Sequence, residues 1–564
     1  MQILLAFVLV ATLSSCLFAK SPADLILIKA RVWTGTAALP WAQAVAVSEN
    51  LIVEVGSETE VLKLRGTKTT VLELPGHLVV PGFIDNHTHF LDGGFQLMSI
   101  DLRPARSEAE FSDRIRRYAE ALPTGKWITG GDWDHEAWPG AKLPTKALLD
   151  PFTPHRPVFV SRLDGHMALA NSLALQLAAI SKATADPPGG TIVRTADGEP
   201  TGILKDAAMN LVYRKIPDAS SKERDAALQA AMREAARYGV TSIQDITSWS
   251  AFESYWKARV ENRLTVRVAA RTPLSQRQRQ VAWIKKNGAG DDWLRLTGFK
   301  AFMDGSLGSA TAYFFEPYND DPKTAGLLAA DAIPEDKIRQ RMLAADKAGL
   351  QLSIHAIGDR ANEVLLGLFE EVAKINGPRD RRFRIEHAQH LRREDIARFA
   401  SLGVIPSMQP YHCIDDGRWA EKRIGPERIK TTYPFRSLLD SGARLTFGSD
   451  WTVAPINPLL GVYAAVTRRT LDGRNPEGWI PQEKITVEEA MNCYTLRNAF
   501  ASFAERKTGS IEAGKLADLV VLDRDIFAIP PVQIPQARVL YTIVGGKVIY
   551  RSVPVARKTL TGAS

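Results

Sequence analysis

The chain has 564 residues, 45% of them hydrophobic and 24% charged, with a formal net charge of +8 and a pI near 9.2. This is an ordinary globular balance with material for a large core and two or three folding units. No Lys/Arg-rich block is interleaved with aromatics, so the excess charge reads as solvated surface, and a nucleic-acid partner is not expected.

Residues 3–17 form an apolar run of signal-peptide length, too short for a comfortable membrane span, and Lys20-Ser21-Pro22 opens the mature sequence. The run lacks a preceding Lys or Arg. Leu13-Ser14-Ser15-Cys16 resembles a bacterial lipobox, which makes Cys16 a candidate lipid anchor; cleavage after Ala19 is the alternative. Either way an exported protein is expected, periplasmic or extracellular, with no later transmembrane segment. The other cysteines, Cys413 and Cys493, complete neither a zinc-type pairing nor a disulfide framework.

Residues 20–80 carry short strand-like runs at 25–28, 44–47, 51–55 and 70–74. Such a sheet is too small to bury both faces. The far end, 506–564, reads similarly: a strand at 516–523, then a hairpin over 539–550 whose Gly545-Gly546 suits a two-residue turn. The economical solution is one composite β-sandwich built from both chain ends.

Between them, 81–505 reads as α/β. Strands are expected at 239–245, 264–270, 294–300, 350–355, 384–387, 404–407 and 444–450, with helices at 230–238, 336–347 and 360–375 among them. Strands alternating with helices argue a parallel sheet with crossovers. With the strand that ends at His87 the count is eight, which closes a (β/α)8 TIM barrel. His355 and His387 stand 32 residues apart, close to one barrel unit of roughly 30 residues. The interval from His89 to Ile243 is far too long for one unit. An inserted subdomain is therefore expected at about 95–222, holding Trp127, Trp133 and Trp138.

The chemistry gathers at strand ends. On an extended strand, residues i and i+2 share a face, so His87 and His89 can present two imidazoles to one ion. Lys300, His355, His387 and Asp450 also fall at C-terminal ends of expected strands, the face of a barrel where active sites sit. Imidazoles with a carboxylate suit a borderline divalent ion such as zinc. Lys300 is the odd member, because an ammonium is repelled by a cation. A semi-buried lysine loses its proton readily, and the neutral amine can add CO2 to give an anionic carbamate that bridges two metals. Further substrate-binding candidates are Arg162 and His166 in the insert, Asp304 after Lys300, and His412 after the seventh strand. Trp133 and Trp138 suit either a pocket lining or the insert's core, and Glu386 is expected to be structural.

These motifs resemble the amidohydrolase superfamily, in the branch that includes N-substituted formamide deformylase. The resemblance rests on Pro81-Gly82-Phe83-Ile84-Asp85-Asn86-His87-Thr88-His89, Lys300-Ala301-Phe302-Met303-Asp304-Gly305-Ser306, Ser353-Ile354-His355-Ala356-Ile357-Gly358-Asp359, Arg384-Ile385-Glu386-His387-Ala388 and Phe447-Gly448-Ser449-Asp450. Asp164-Gly165-His166 and Gly198-Glu199-Pro200-Thr201-Gly202 extend it into the insert. It implies one metal on His87, His89 and Asp450, a second on His355 and His387, and carbamylated Lys300 between them. A one-metal site would use His87, His89, His355 and Asp450. The expected activity is hydrolysis of a small-molecule amide-type C–N bond, with Asp450 as general base and then acid. Ester or peptide-like hydrolysis on the same site, or a binding relative without turnover, are the alternatives.

Overall fold

The computed structural model describes residues 21–552. The expected signal segment, with Cys16, lies outside them. Eight strands form one parallel sheet: β1 (Phe83–Thr88), β2 (Val240–Ile246), β3 (Arg267–Pro273), β4 (Leu294–Phe302), β5 (Gln351–Ala356), β6 (Arg384–His387), β7 (Ile405–Met408) and β8 (Thr446–Phe447). Neighbours in space are neighbours in this order, from Phe83 facing Val240 to Ser407 facing Thr446. The ends of the sheet meet where Asp450 N–H donates to His87 O at 2.8 Å and His89 N–H to Trp451 O at 2.6 Å. The barrel is thus nearly closed at its C-terminal rim.

β8 is shorter than the sequence suggests, and the cause is local. After Phe447 the chain leaves the pleat to dock on β1. Asp85 accepts Ser449 N–H at 2.9 Å and also the Ser449 hydroxyl. Gly448 permits this approach, since a Cβ there would sit 2.5 Å from Asn86 Oδ1 and 2.7 Å from Asp85 Oδ1. Asp450 then takes a left-handed φ of 55°.

The barrel interior is more polar than the branched aliphatic filling usual for this architecture. Gln244, Arg271, Gln351, Ser353, Arg384, Glu386 and Ser407 are all buried on their strands. Apolar packing lies instead between strands and helices. The helix Asp359–Asn376, for example, buries Leu365, Leu366, Phe369 and Val372 at helical spacing.

Between β1 and β2 a second, six-stranded sheet runs in the order Gly190–Arg194, Pro200–Asp206, Met167–Ala170, Val158–Arg162, Ile128–Trp133, Ile100–Asp101. Trp133 and Trp138 are buried in its core with Phe111 and Leu169. Their indole N–H groups donate to Val160 O and Ala105 O.

The chain ends meet in a third sheet: Lys547–Arg551, Val539–Val544, Leu519–Leu522, Leu78–Pro81, Arg31–Trp33, Trp41–Ala42. Gly545 and Gly546 make its hairpin turn with φ of 54° and 76°, as a type I′ turn requires. A four-stranded sheet from residues 23–73 faces it. Leu25, Leu27 and Val45 of that sheet pack with Val79, Leu519, Val521 and Ile543. Leu519 is fully buried at this junction. Leu519→Ala is expected to cost about 2–5 kcal/mol, read as a lowered denaturation midpoint.

Candidate metal centre

The run Leu78–Val80 is completely buried and carries the chain straight into β1, where its end presents His87 and His89. Around them the other strand ends converge. Lys300 Nζ lies 3.3 Å from His87 Nε2. Asp450 Oδ1 lies 3.5 Å from His87 Nε2 and 3.4 Å from His89 Nε2. The ring of His387 stands 4.9 Å from that of His87 and 4.5 Å from that of His355. All six predicted ligand side chains thus reach one place, at the ends of β1, β4, β5, β6 and β8. Donor atoms of His87, His387 and Asp450 lie within 4.8 Å of one another.

Partners outside this group fix which ring nitrogen faces it. His87 Nδ1–H donates to Glu386 Oε2 at 2.6 Å, leaving the Nε2 lone pair directed inward. His387 Nδ1–H donates to Gln409 Oε1 at 2.8 Å. His355 Nε2–H donates to Gly305 O at 3.0 Å, leaving Nδ1 free. Burial, aided by the neighbouring Lys300 cation, lowers His87 to about 4 and so keeps it neutral. Burial likewise lowers His355 and His387. Burial opposes ionisation of Asp450 too, but the imidazoles of His87, His89 and His387 outweigh it and hold this carboxyl well below the usual range. Burial brings Lys300 down to about 8 despite the opposing pull of Glu386 and Asp450.

The neutral imidazoles of His87, His355 and His387 beside an ionised carboxylate are complementary to a divalent cation. Asp450 Oδ1 states this most directly. It is buried, and its nearest donors are only the long contacts of His89 Nε2 at 3.4 Å and His87 Nε2 at 3.5 Å, neither with good hydrogen-bond geometry. A buried acceptor without a partner is costly, and a cation supplies the missing interaction.

The model of the amidohydrolase family matches residues 70–550. The chain belongs to the amidohydrolase family. It is 41% identical over 541 residues to "Protein LONG AFTER FAR-RED 3" of Arabidopsis thaliana, covering 94% of this chain and 92% of that protein. It is 31% identical to N-substituted formamide deformylase of Arthrobacter pascens, covering 93% of this chain and 98% of the relative. Among solved structures, an uncharacterized metal-dependent hydrolase of Pyrococcus horikoshii OT3 superposes with a TM-score of 0.72 at 27% identity. That match covers 90% of this chain and 99% of the other.

In this amidohydrolase His89, Lys300, His355, His387 and Asp450 line a cavity of about 690 Å³ that extends outward under the six-stranded sheet. Its walls include Phe95, Phe159, Met209, Tyr213 and Phe302. His166 lines it with its ring 5.1 Å from that of His355, and its Nδ1 pairs with Asp206 Oδ1 at 2.6 Å. Arg162 lines it too, neutralised by Asp134 at 3.2 Å and Asp164 at 2.8 Å. Asp304 also borders the cavity, yet both its oxygens are engaged. They accept N–H groups of Ile357, Gly358 and Tyr313 at 2.8–3.0 Å, so this side chain braces the loop beside His355. His412 stacks 6.4 Å from His387 and borders a smaller adjoining cavity.

Two contributors escape a reading of the sequence. Glu386 was expected to be structural, but its carboxylate aims His87. Gln409 does the same for His387. The visible signal is the acid itself: a glutamate on a buried strand beside a ligand histidine must have a partner. Glu386→Gln is expected to weaken metal retention roughly 10–100-fold, measured as metal content after graded chelation.

Proposed function

We propose that this protein is a metal-dependent hydrolase of non-peptide, amide-type C–N bonds. The observation that carries the reading is the convergence of His87, His89, Lys300, His355, His387 and Asp450 around the unsatisfied Asp450 Oδ1. The donor set suits zinc. His87, His89 and Asp450 would hold one ion and His355 and His387 a second, with a Lys300 carbamate between them. When bound, the metal lowers the pKa of water and polarises a carbonyl as a Lewis acid.

The chain's own residues do the rest. Asp450, ionised at the cavity floor, takes a proton from the attacking water and returns it to the departing nitrogen. An amide nitrogen leaves poorly as an anion, so this return is the step that lets the bond break. Glu386 and Gln409 hold His87 and His387 in the tautomers the site needs. His166, Arg162 and His412 surround the space where a substrate would lie. The aromatic wall of Phe95, Phe159, Tyr213 and Phe302 suits an apolar N-substituent. The relationship to N-substituted formamide deformylase supports the same class.

The described sheets of the two chain ends, within 21–80 and 506–552, form a composite β-sandwich flanking a barrel over 81–505, with an inserted subdomain at about 95–222. The enzyme is exported, with a lipid anchor at Cys16 or cleavage after Ala19.

The test is an amide library screened against zinc-reconstituted protein in bicarbonate buffer. Turnover of N-substituted formamides or related amides is expected. Turnover of esters or dipeptides alone would displace the non-peptide C–N reading.

A further inference from the structure

Two cavities meet at the candidate metal centre, and they differ greatly in size. His355, His387, Asp450 and Val453 border both the cavity of about 690 Å³ and the smaller one, which encloses about 40 Å³. One water needs roughly 10–15 Å³, so the smaller chamber takes roughly three heavy atoms. Leu307, Ile357 and Trp419 give it apolar surface.

Four imidazoles border this chamber: His166, His355, His387 and His412. Three of them have a ring nitrogen engaged, His166 by Asp206, His355 by Gly305 O and His387 by Gln409. His412 differs. It is 9% exposed, and its Nε2 is buried without a hydrogen-bond partner. An unpaired buried nitrogen costs free energy, which a ligand can return. The ring is held in place all the same. It lies nearly parallel to His387, at 12° and 6.4 Å between centroids, and the His412 backbone N–H donates to Gln409 O at 3.1 Å. Gln409 follows β7 directly and aims His387, so one turn both orients a candidate ligand and sets His412 beside it.

We propose that His412 is a catalytic residue that donates a ring N–H to the oxygen of the scissile carbonyl, while the small chamber receives the acyl group. This rests on the hydrolase reading and narrows its substrates to amides of short acyl groups, up to about two carbons, with the bulk of the molecule on the amine side. A neutral imidazole carries one N–H and a protonated one two, so the donor is present in either state. As the water oxygen adds to the carbonyl carbon, the C=O π pair passes to the carbonyl oxygen. His412 meets that charge with its hydrogen bond and keeps its own proton. Asp450 takes the proton of the water and returns it to nitrogen as the C–N bond breaks. An aromatic N-substituent is too large for 40 Å³ and falls to the wall of Phe95, Phe159, Tyr213 and Phe302.

The experiment compares isomers on the zinc-loaded protein. N-benzylacetamide and N-methyl-2-phenylacetamide hold the same atoms with the bulky half moved from amine to acyl. N-benzylacetamide is expected to show a kcat/KM roughly 100-fold higher or more. Equal values, or the reverse order, would overturn the chamber assignment. If only esters are cleaved, the non-peptide C–N reading fails, and benzyl acetate against methyl phenylacetate puts the same question to the chamber. His412→Phe keeps a ring beside His387 and should lower kcat about 10²–10³-fold, the range for one lost oxyanion donor, with metal content unchanged. His412→Asn still offers an N–H and should recover part of that loss. Unchanged kcat in the phenylalanine variant would remove His412 from the reaction. A crystal of zinc-loaded Asp450→Asn protein with N-benzylacetamide reads the placement without turnover. The acetyl group is expected in the chamber with its oxygen within hydrogen-bond distance of the His412 ring, and an acetyl group bound elsewhere would refute the assignment.

Discussion

Asp450→Asn is expected to lower turnover by about 10²–10⁴-fold, the range that a positioned proton-transfer group contributes. The amide keeps the shape of the carboxylate, and the Asp450 backbone N–H still donates to His87 O, so the rim of the barrel should stay closed. What disappears is an ionised oxygen. The neighbouring imidazoles hold Asp450 well below the usual carboxyl range, so the wild-type group is a base throughout the working pH range. An asparagine can neither accept the water proton nor return it to nitrogen. The measurement is kcat on the best library substrate, with metal content determined on the same sample. Near-normal turnover with metal retained would remove Asp450 from proton transfer.

Lys300→Ala should lose most of the bound metal, and activity should fall by more than the roughly 10–100-fold typical of losing an outer-sphere partner. The lysine is 3% exposed, and its amine lies against His87 and over the Phe302 ring at 4.7 Å. Burial brings it to about 8, so the neutral amine that adds CO2 becomes more abundant as pH rises through that value. In metal-free protein supplied with labelled bicarbonate, the carbamate signal should therefore grow from pH 7 to pH 9. Acetate should partly restore the alanine variant by occupying the bridging position. Unchanged metal content in that variant would contradict the bridge.

The convergence of these six side chains was legible in the sequence because each falls at or near the end of an expected strand, and strand ends on one rim of a barrel must meet. Pairings across the tertiary structure were not legible. Glu386 and His87 are separated by 299 positions, and no local pattern joins them. The same holds for Arg418 of the barrel and Asp134 of the insert, 284 positions apart and 2.9 Å from each other. The early end of β8 was hidden for another reason. Residues 444–450 have a strand-like composition, and only the contact of Gly448 with β1 shows where the pleat must stop. The polar barrel interior could have been suspected, since Arg384 and Glu386 alternate on a strand too short to expose both. Nothing local said that Arg271 would join them.

The sheet shared by the two chain ends sets the order in which the molecule can be completed. Leu78–Pro81, which delivers β1 to its place, pairs with Leu519–Leu522. During synthesis at about 5–20 residues per second, that strand waits for its neighbour for roughly tens of seconds. Until then its open edge is a template for pairing with other chains. Assembly of the candidate metal centre would thus wait until these strands emerge, and a nascent chain stalled short of them would carry all six candidate ligands on an unfinished support.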